Sequence, residues 1–157
     1  MTRFRIFSVA ALAWMVVIFM FSAKDATRST KDSNEVVEII GEIIYEDFDN
    51  LDAEEKQVFI DKTDHAVRKT AHGLEYMLLG VLLMNAGLGL KNRKKTVAFL
   101  SFITGSLYAA SDEIHQLYVP GRAGMVTDWL IDSGGVLAGV AAVSVTALLI
   151  RRKKEAT

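Results

Sequence analysis

Apolar residues fall into four blocks, 4–23, 66–90, 96–118 and 128–150, separated by segments rich in charge. Each block approaches the roughly 20 residues that an α-helix needs to cross a bilayer. The pattern predicts an all-α fold, an integral membrane bundle of four transmembrane helices in one domain spanning 1–157. Residues 24–65, between the first two blocks, are polar but patterned. Val36, Val37, Ile40, Ile43, Ile44 and Phe48 recur at helical spacing from Asn34 to Phe48, with Glu35, Glu38, Glu42 and Glu46 elsewhere around the wheel. Asp52 followed by Glu55 is a capping-box spacing and predicts a second short helix through about Ile60. Together these form a short amphipathic helical lid, expected to pack on the outer surface of the bundle.

Charge orients the four blocks. Arg3 and Arg5 precede the first, Lys91, Arg93, Lys94 and Lys95 separate the second from the third, and Arg151, Arg152, Lys153 and Lys154 follow the fourth. Four crossings put all three clusters on one side, and basic residues favour the cytoplasm, so both termini are expected to be cytoplasmic. The opposite, extracellular side receives residues 24–65, with 13 acidic against 5 basic residues, and the turn containing Pro120, Gly121 and Arg122. The net charge of -1 conceals this segregation. Arg3 and Arg5 also resemble the start of a secretory signal. However, the uncharged run Ile6–Ala23 is 18 residues long, and cleavage after Ala23 would put bulky Phe21 where a small residue is wanted. The first block is therefore expected to stay as an anchor.

At 157 residues, with 51% hydrophobic composition and one proline, the chain has the totals of either a soluble helical domain or a few spans. The blockwise distribution favours spans. The absence of cysteine excludes disulfides, thiolate catalysis and cysteine metal sites. The expected partners are the lipid bilayer and a phospholipid or lipid-linked cell-wall precursor, with no nucleic acid; oligomeric state is left open.

The middle two blocks carry the chemistry. Their strictly apolar parts, Tyr76–Leu90 and Thr96–Ser111, are only 15 and 16 residues long, so spanning requires the polar residues beside them to enter the bilayer's outer region. A charged residue in hydrocarbon costs roughly 2.5 to 3.5 kcal/mol even on lenient scales and marks a functional site by default. His72, Glu75 and Tyr76 share one helical face, as do Gly105, Tyr108, Asp112 and His115, and then Asp128, Asp132, Gly135 and Gly139. Glu113 points about 100° away from Asp112. With alternating helix directions, these polar groups reach the same depth. His72, Glu75, Asp112 and His115 are the acid–base candidates. Arg68, Lys69 and Arg122 offer a positive rim suited to phosphate. Tyr76, Tyr108, Glu113, Gln116, Asp128 and Asp132 complete the candidate pocket.

Plainer roles stand beside these. Gly105, Gly135 and Gly139 have the spacing of a packing seam. Arg68 and Lys69 suit snorkelling anchors, and the histidines and acids suit a structural hydrogen-bond network. Histidines and carboxylates at helical spacing could ligate zinc or manganese, but there is no His-Glu-x-x-His pattern; no metal is assigned and the cofactor stays unknown. Membrane acids and histidines also build proton relays, yet Asn85 is the only obvious polar step in the inner part of the second span.

At these residues the chain resembles the VanZ-like family, small bacterial membrane proteins named for a teicoplanin-resistance accessory protein. The matching motifs are Arg68-Lys69-x-x-His72 with Glu75-Tyr76 and Gly80, then Asp112-Glu113-x-His115-Gln116, Pro120-Gly121-Arg122, Asp128, Gly135 and Gly139, and the likeness covers roughly residues 5–150. One departure is Asp132-Ser133-Gly134-Gly135, where the family often has an asparagine before the glycine. The resemblance implies a bacterial cytoplasmic membrane location and a cell-envelope role, with lowered lipoglycopeptide susceptibility in some members and no settled reaction. Three functions remain open: an outward pocket that binds or also modifies a phosphate-bearing envelope molecule, a non-catalytic factor shielding antibiotic targets, and a proton-coupled transporter.

Overall fold

The first apolar block forms α1 (Thr2–Ser22), and α2 (Ala26–Ile44) follows. After a 3-10 turn at Phe48–Asn50 come α3 (Ala53–Gly87), α4 (Lys94–Gln116) and α5 (Val126–Glu155). This computed structural model describes residues 2–24, 26–44, 48–90 and 93–155, and among them there is no strand. Glu46 of the expected lid helix and Lys91 of the basic clusters lie outside the described residues. Two helices, α1 and α5, are long and apolar enough to cross a membrane.

The capping box forms as its spacing predicts. Asp52 accepts from the Glu55 N–H at 2.8 Å, and the Glu55 carboxylate accepts from the Asp52 N–H at 3.3 Å. The helix it opens does not stop near Ile60. It continues for 35 residues, so the second lid helix and the second apolar block are one element, about 52 Å long at 1.5 Å per residue. No proline or glycine interrupts the chain from Ala53 to His72. Pairs four residues apart reinforce the junction: Gln57 donates to Asp61 at 2.8 Å, and Arg68 pairs with Asp64.

The other part of the lid is displaced from its expected range, because α2 begins at Ala26 and ends at Ile44. It packs along α3. Of its expected apolar face, Val37 is buried, and the Phe48 ring lies against Gly41, while Val36, Ile43 and Ile44 are exposed.

The core lies where α3 crosses α5 and is built from Tyr76, Leu79, Met84, Val97, Ala109, Val136 and Val140, with Ala11 and Ile18 of α1 closing it. Glycines set the crossing distance. A Cβ on Gly139 would strike the Met77 carbonyl oxygen, one on Gly135 the Gly73 carbonyl oxygen, and one on Gly80 the Val136 carbonyl oxygen. Gly105 of α4 faces the Val136 side chain, 2.6 Å from where its Cβ would stand. These close approaches set α3 against α5, and Gly105 brings α4 to the same Val136.

Two of the hydrogen bonds that pin α1 to the rest come from aromatic side chains. Trp14 Nε1 donates to the Glu75 carbonyl at 2.9 Å, and the Tyr108 hydroxyl donates to the Met15 carbonyl at 2.6 Å. Interhelical bonds of this kind contribute about 0.6 kcal/mol on average and up to about 1.7 within membranes. Tyr108→Phe is expected to lower stability by about 1 kcal/mol in a detergent unfolding titration without weakening ligand binding. A parallel loss of binding would mean that Tyr108 touches the ligand.

Candidate functional site

One end of the bundle gathers ionisable groups from three helices and a loop. α3 supplies His72 and Glu75, α4 supplies Asp112 and Glu113, α5 supplies Asp128 and Asp132, and the turn between α4 and α5 supplies Arg122. His72 lies within electrostatic reach of Arg122, Asp112, Asp128 and Arg68, while Glu75 lies within reach of Asp112, Arg122 and Lys24. Asp112 and Asp132 are 3% and 0% exposed, so the floor of the cluster is closed to solvent.

The turn that brings in Arg122 depends on Gly121, whose φ of 73° is a left-handed conformation that side-chain-bearing residues rarely adopt. Arg122 Nε donates to the Lys24 carbonyl just beyond α1, at 3.1 Å. Its terminal nitrogens make no hydrogen bond, and no carboxylate pairs with it, among the described residues. Burial, followed by the like charge of Arg68, lowers the Arg122 pKa from its ordinary value; Asp112, Glu113 and Glu75 oppose this. The guanidinium stays charged, since arginine does not deprotonate in proteins. It is a partly desolvated cation with its fork free to meet an anion.

The rest of the expected positive rim is neutralised. Lys69 Nζ donates to Asp128 Oδ1 at 2.8 Å, tying α3 to the start of α5, and Arg68 is held by Asp64. Glu113 is occupied locally, where its Oε2 accepts the Met125 N–H at 2.7 Å, just before α5 begins. Gln116 donates to Asp112 at 3.3 Å and to Glu113 at 3.5 Å, bridging the two acids. Tyr76 is fully buried in the core, its ring 6.2 Å from that of Tyr108. His115 stacks at 4.6 Å on Phe19 of α1, with its Nε2 buried and unpartnered.

Several polar atoms of the cluster have no partner. Both Asp132 carboxyl oxygens and Asp112 Oδ1 are buried without a hydrogen bond, and the His72 and Glu75 side chains make none to other described residues. The base–orienter pairs expected among His72, Glu75, Asp112 and His115 are therefore not bonded here. Among the described residues, no group of three or more His, Cys, Asp or Glu is arranged to hold a metal ion.

Helix α1 contributes more than its sequence suggests, through Trp14, Met15 and Phe19, and so does Lys24 just beyond it. Trp14 was the available signal, because an indole N–H in an apolar segment needs an acceptor. Ser106 and Ser133 form another unanticipated link, 2.8 Å apart between α4 and α5, with Trp129 Nε1 donating to the Ser106 carbonyl at 3.1 Å.

The fold and the cluster define a class: an all-helical bundle, membrane-like in two of its helices, with acids, a histidine and a partly buried arginine at one end. A family model described as VanZ/LLP1 matches residues 7–149, and the chain belongs to the VanZ/LLP1 family. No curated protein and no solved structure matches it. Membership is consistent with a membrane protein associated with the cell envelope.

Proposed function

We propose that the chain crosses the cytoplasmic membrane four times, with its basic helix ends inside, and that the cluster faces outward and binds the phosphate of a lipid-linked envelope molecule. The apolar belt supports spanning by α3 and α4 as well as α1 and α5. Leu74 and Leu78 of α3, and Phe99, Leu107 and Ile114 of α4, are exposed, and soluble monomers rarely leave so much apolar surface contiguous. Arg122 carries the binding reading. Its Nε is fixed to a carbonyl while the two-pronged end remains free, a geometry suited to bidentate contact with phosphate oxygens. Altered susceptibility to teicoplanin or lipoglycopeptides belongs to this reading as a cellular consequence.

Chemistry on the bound molecule is the second reading, favoured by the unengaged side chains of His72 and Glu75 beside Arg122. His72 would accept a proton and Arg122 would stabilise developing anionic charge. Proton transport has less support, because Asn85 is already engaged by Arg3 and by the Val81 carbonyl.

The test is titration of a polyprenyl diphosphate into the purified protein in zwitterionic nanodiscs, followed by mass spectrometry of the lipid. The wild type is expected to bind saturably. Arg122→Gln should weaken binding by roughly tenfold or more, the worth of a hydrogen-bonded charge, and Arg122→Lys should recover only part. If the lipid is also converted, His72→Gln and Glu75→Gln should lose conversion while retaining binding. A wild type that neither binds nor converts the probe would sink both readings.

A further inference from the structure

The opposite end of the bundle holds a second fixed guanidinium. Gly89, two residues beyond α3, lies against the start of α1, where a Cβ would fall 2.5 Å from Phe4 N and 2.9 Å from its Cα. That close approach accompanies a bond from Arg3 Nη2 to Asn85 Oδ1, at 2.6 Å. Asn85 Nδ2 donates in turn to the Val81 carbonyl, at 2.8 Å. Arg3 is thus positioned by a neutral amide, and no carboxylate pairs with it among the described residues. Its guanidinium also lies 5.9 Å from the centre of the Phe7 ring.

Beside Arg3 runs a groove of about 390 Å³, lined by Arg3 and Asn85 together with Leu88, Val143, Ala147 and Ile150. A fixed cation beside an aliphatic trough has the division of a phospholipid, with its anionic head and hydrocarbon tail. Basic pockets between helices on the cytoplasmic side bind anionic headgroups. We propose that this groove holds the headgroup phosphate and part of one acyl chain of an anionic phospholipid. The site depends on the membrane reading above but not on the role given to Arg122.

Native mass spectrometry of the protein in detergent tests this, with phosphatidylglycerol and phosphatidylcholine of identical chains supplied in equal amounts. The wild type is expected to retain one phosphatidylglycerol with about a fivefold preference, the worth of one basic residue near an anionic surface. Arg3→Gln should reduce the preference to near parity, and Arg3→Lys should keep most of it. Ala147→Trp, which fills the trough while leaving the charge, should also abolish it, and Arg122→Gln should not. Equal retention of both lipids by the wild type would overturn the proposal. So would a preference unchanged in both Arg3→Gln and Ala147→Trp, or displacement of the lipid by millimolar inorganic phosphate. Loss in Arg122→Gln with retention in Arg3→Gln would place the lipid at the other end.

Discussion

Gly139→Leu is expected to abolish the folded bundle. A Cβ at Gly139 would strike the Met77 carbonyl oxygen, with Val81 N at 2.8 Å and the Met77 carbonyl carbon at 3.1 Å. All three atoms are α3 backbone, so no side chain can rotate away and the two helices must separate. Overpacking a well-filled core typically costs about 1–3 kcal/mol, and occasionally more. Here even the first added carbon meets main chain, and leucine adds three beyond it. The matched control is Gly134→Ala, little more than a turn away, where a Cβ would meet nothing within 4 Å. Replacing glycine by alanine in a helix gains up to about 1 kcal/mol, so this variant should melt at or slightly above the wild type. Circular dichroism melts and size-exclusion profiles in detergent decide the matter. A Gly139→Leu protein melting within a few degrees of wild type would mean that α3 and α5 do not cross as closely as described.

Asp132→Asn should act in the opposite direction, raising stability by about 1–3 kcal/mol, the cost of leaving a buried polar group unsatisfied. Asp132 is 0% exposed, neither carboxyl oxygen has a partner, and the charges around it are the acids Glu113, Asp112, Asp128 and Glu75. An amide keeps the shape and brings two donors toward those acids. Because Asp132 forms the floor of the proposed binding cluster, the same variant should alter binding of the diphosphate probe. Unfolding titrations of wild type and Asp132→Asn provide the check. Lower stability in the variant would overturn this expectation and mean that the native acid is satisfied.

The sequence conveyed the helices better than their junctions. Block lengths located α1, α4 and α5 to within about two residues at their starts, the margin expected of pattern reading, and the Asp52–Glu55 spacing located the start of α3. The merger of lid and span in α3 was not legible, because hydropathy marks where a helix would enter a membrane and not where its hydrogen bonds end. Phase reasoning brought His72, Glu75, Asp112, Asp128 and Asp132 toward one end. It did not anticipate the Phe19 ring that stacks on His115, since Phe19 belongs to α1, far away in the chain. Single-residue charge reading also failed to anticipate that Lys69 and Arg68 would be paired with Asp128 and Asp64 and that Arg122 would keep its fork free. Those outcomes depend on contacts between helices, or on side-chain choices within one, that spacing does not encode.

The unbroken course of α3 constrains how the proposed ligand would reach the cluster. A cover joined through a flexible joint opens by swinging there, but between Ala53 and His72 the joint is helix interior, and bending it would break backbone hydrogen bonds in sequence. The rod carrying His72 and Glu75 therefore moves with the segment on which α2 rests. On the other flank, the Arg122 turn is latched to the segment just beyond α1 through the hydrogen bond from Arg122 Nε to the Lys24 carbonyl. Releasing that latch would cost far less than bending the rod, so a ligand of the proposed site is expected to enter at the seam between the Lys24 segment and the Arg122 turn.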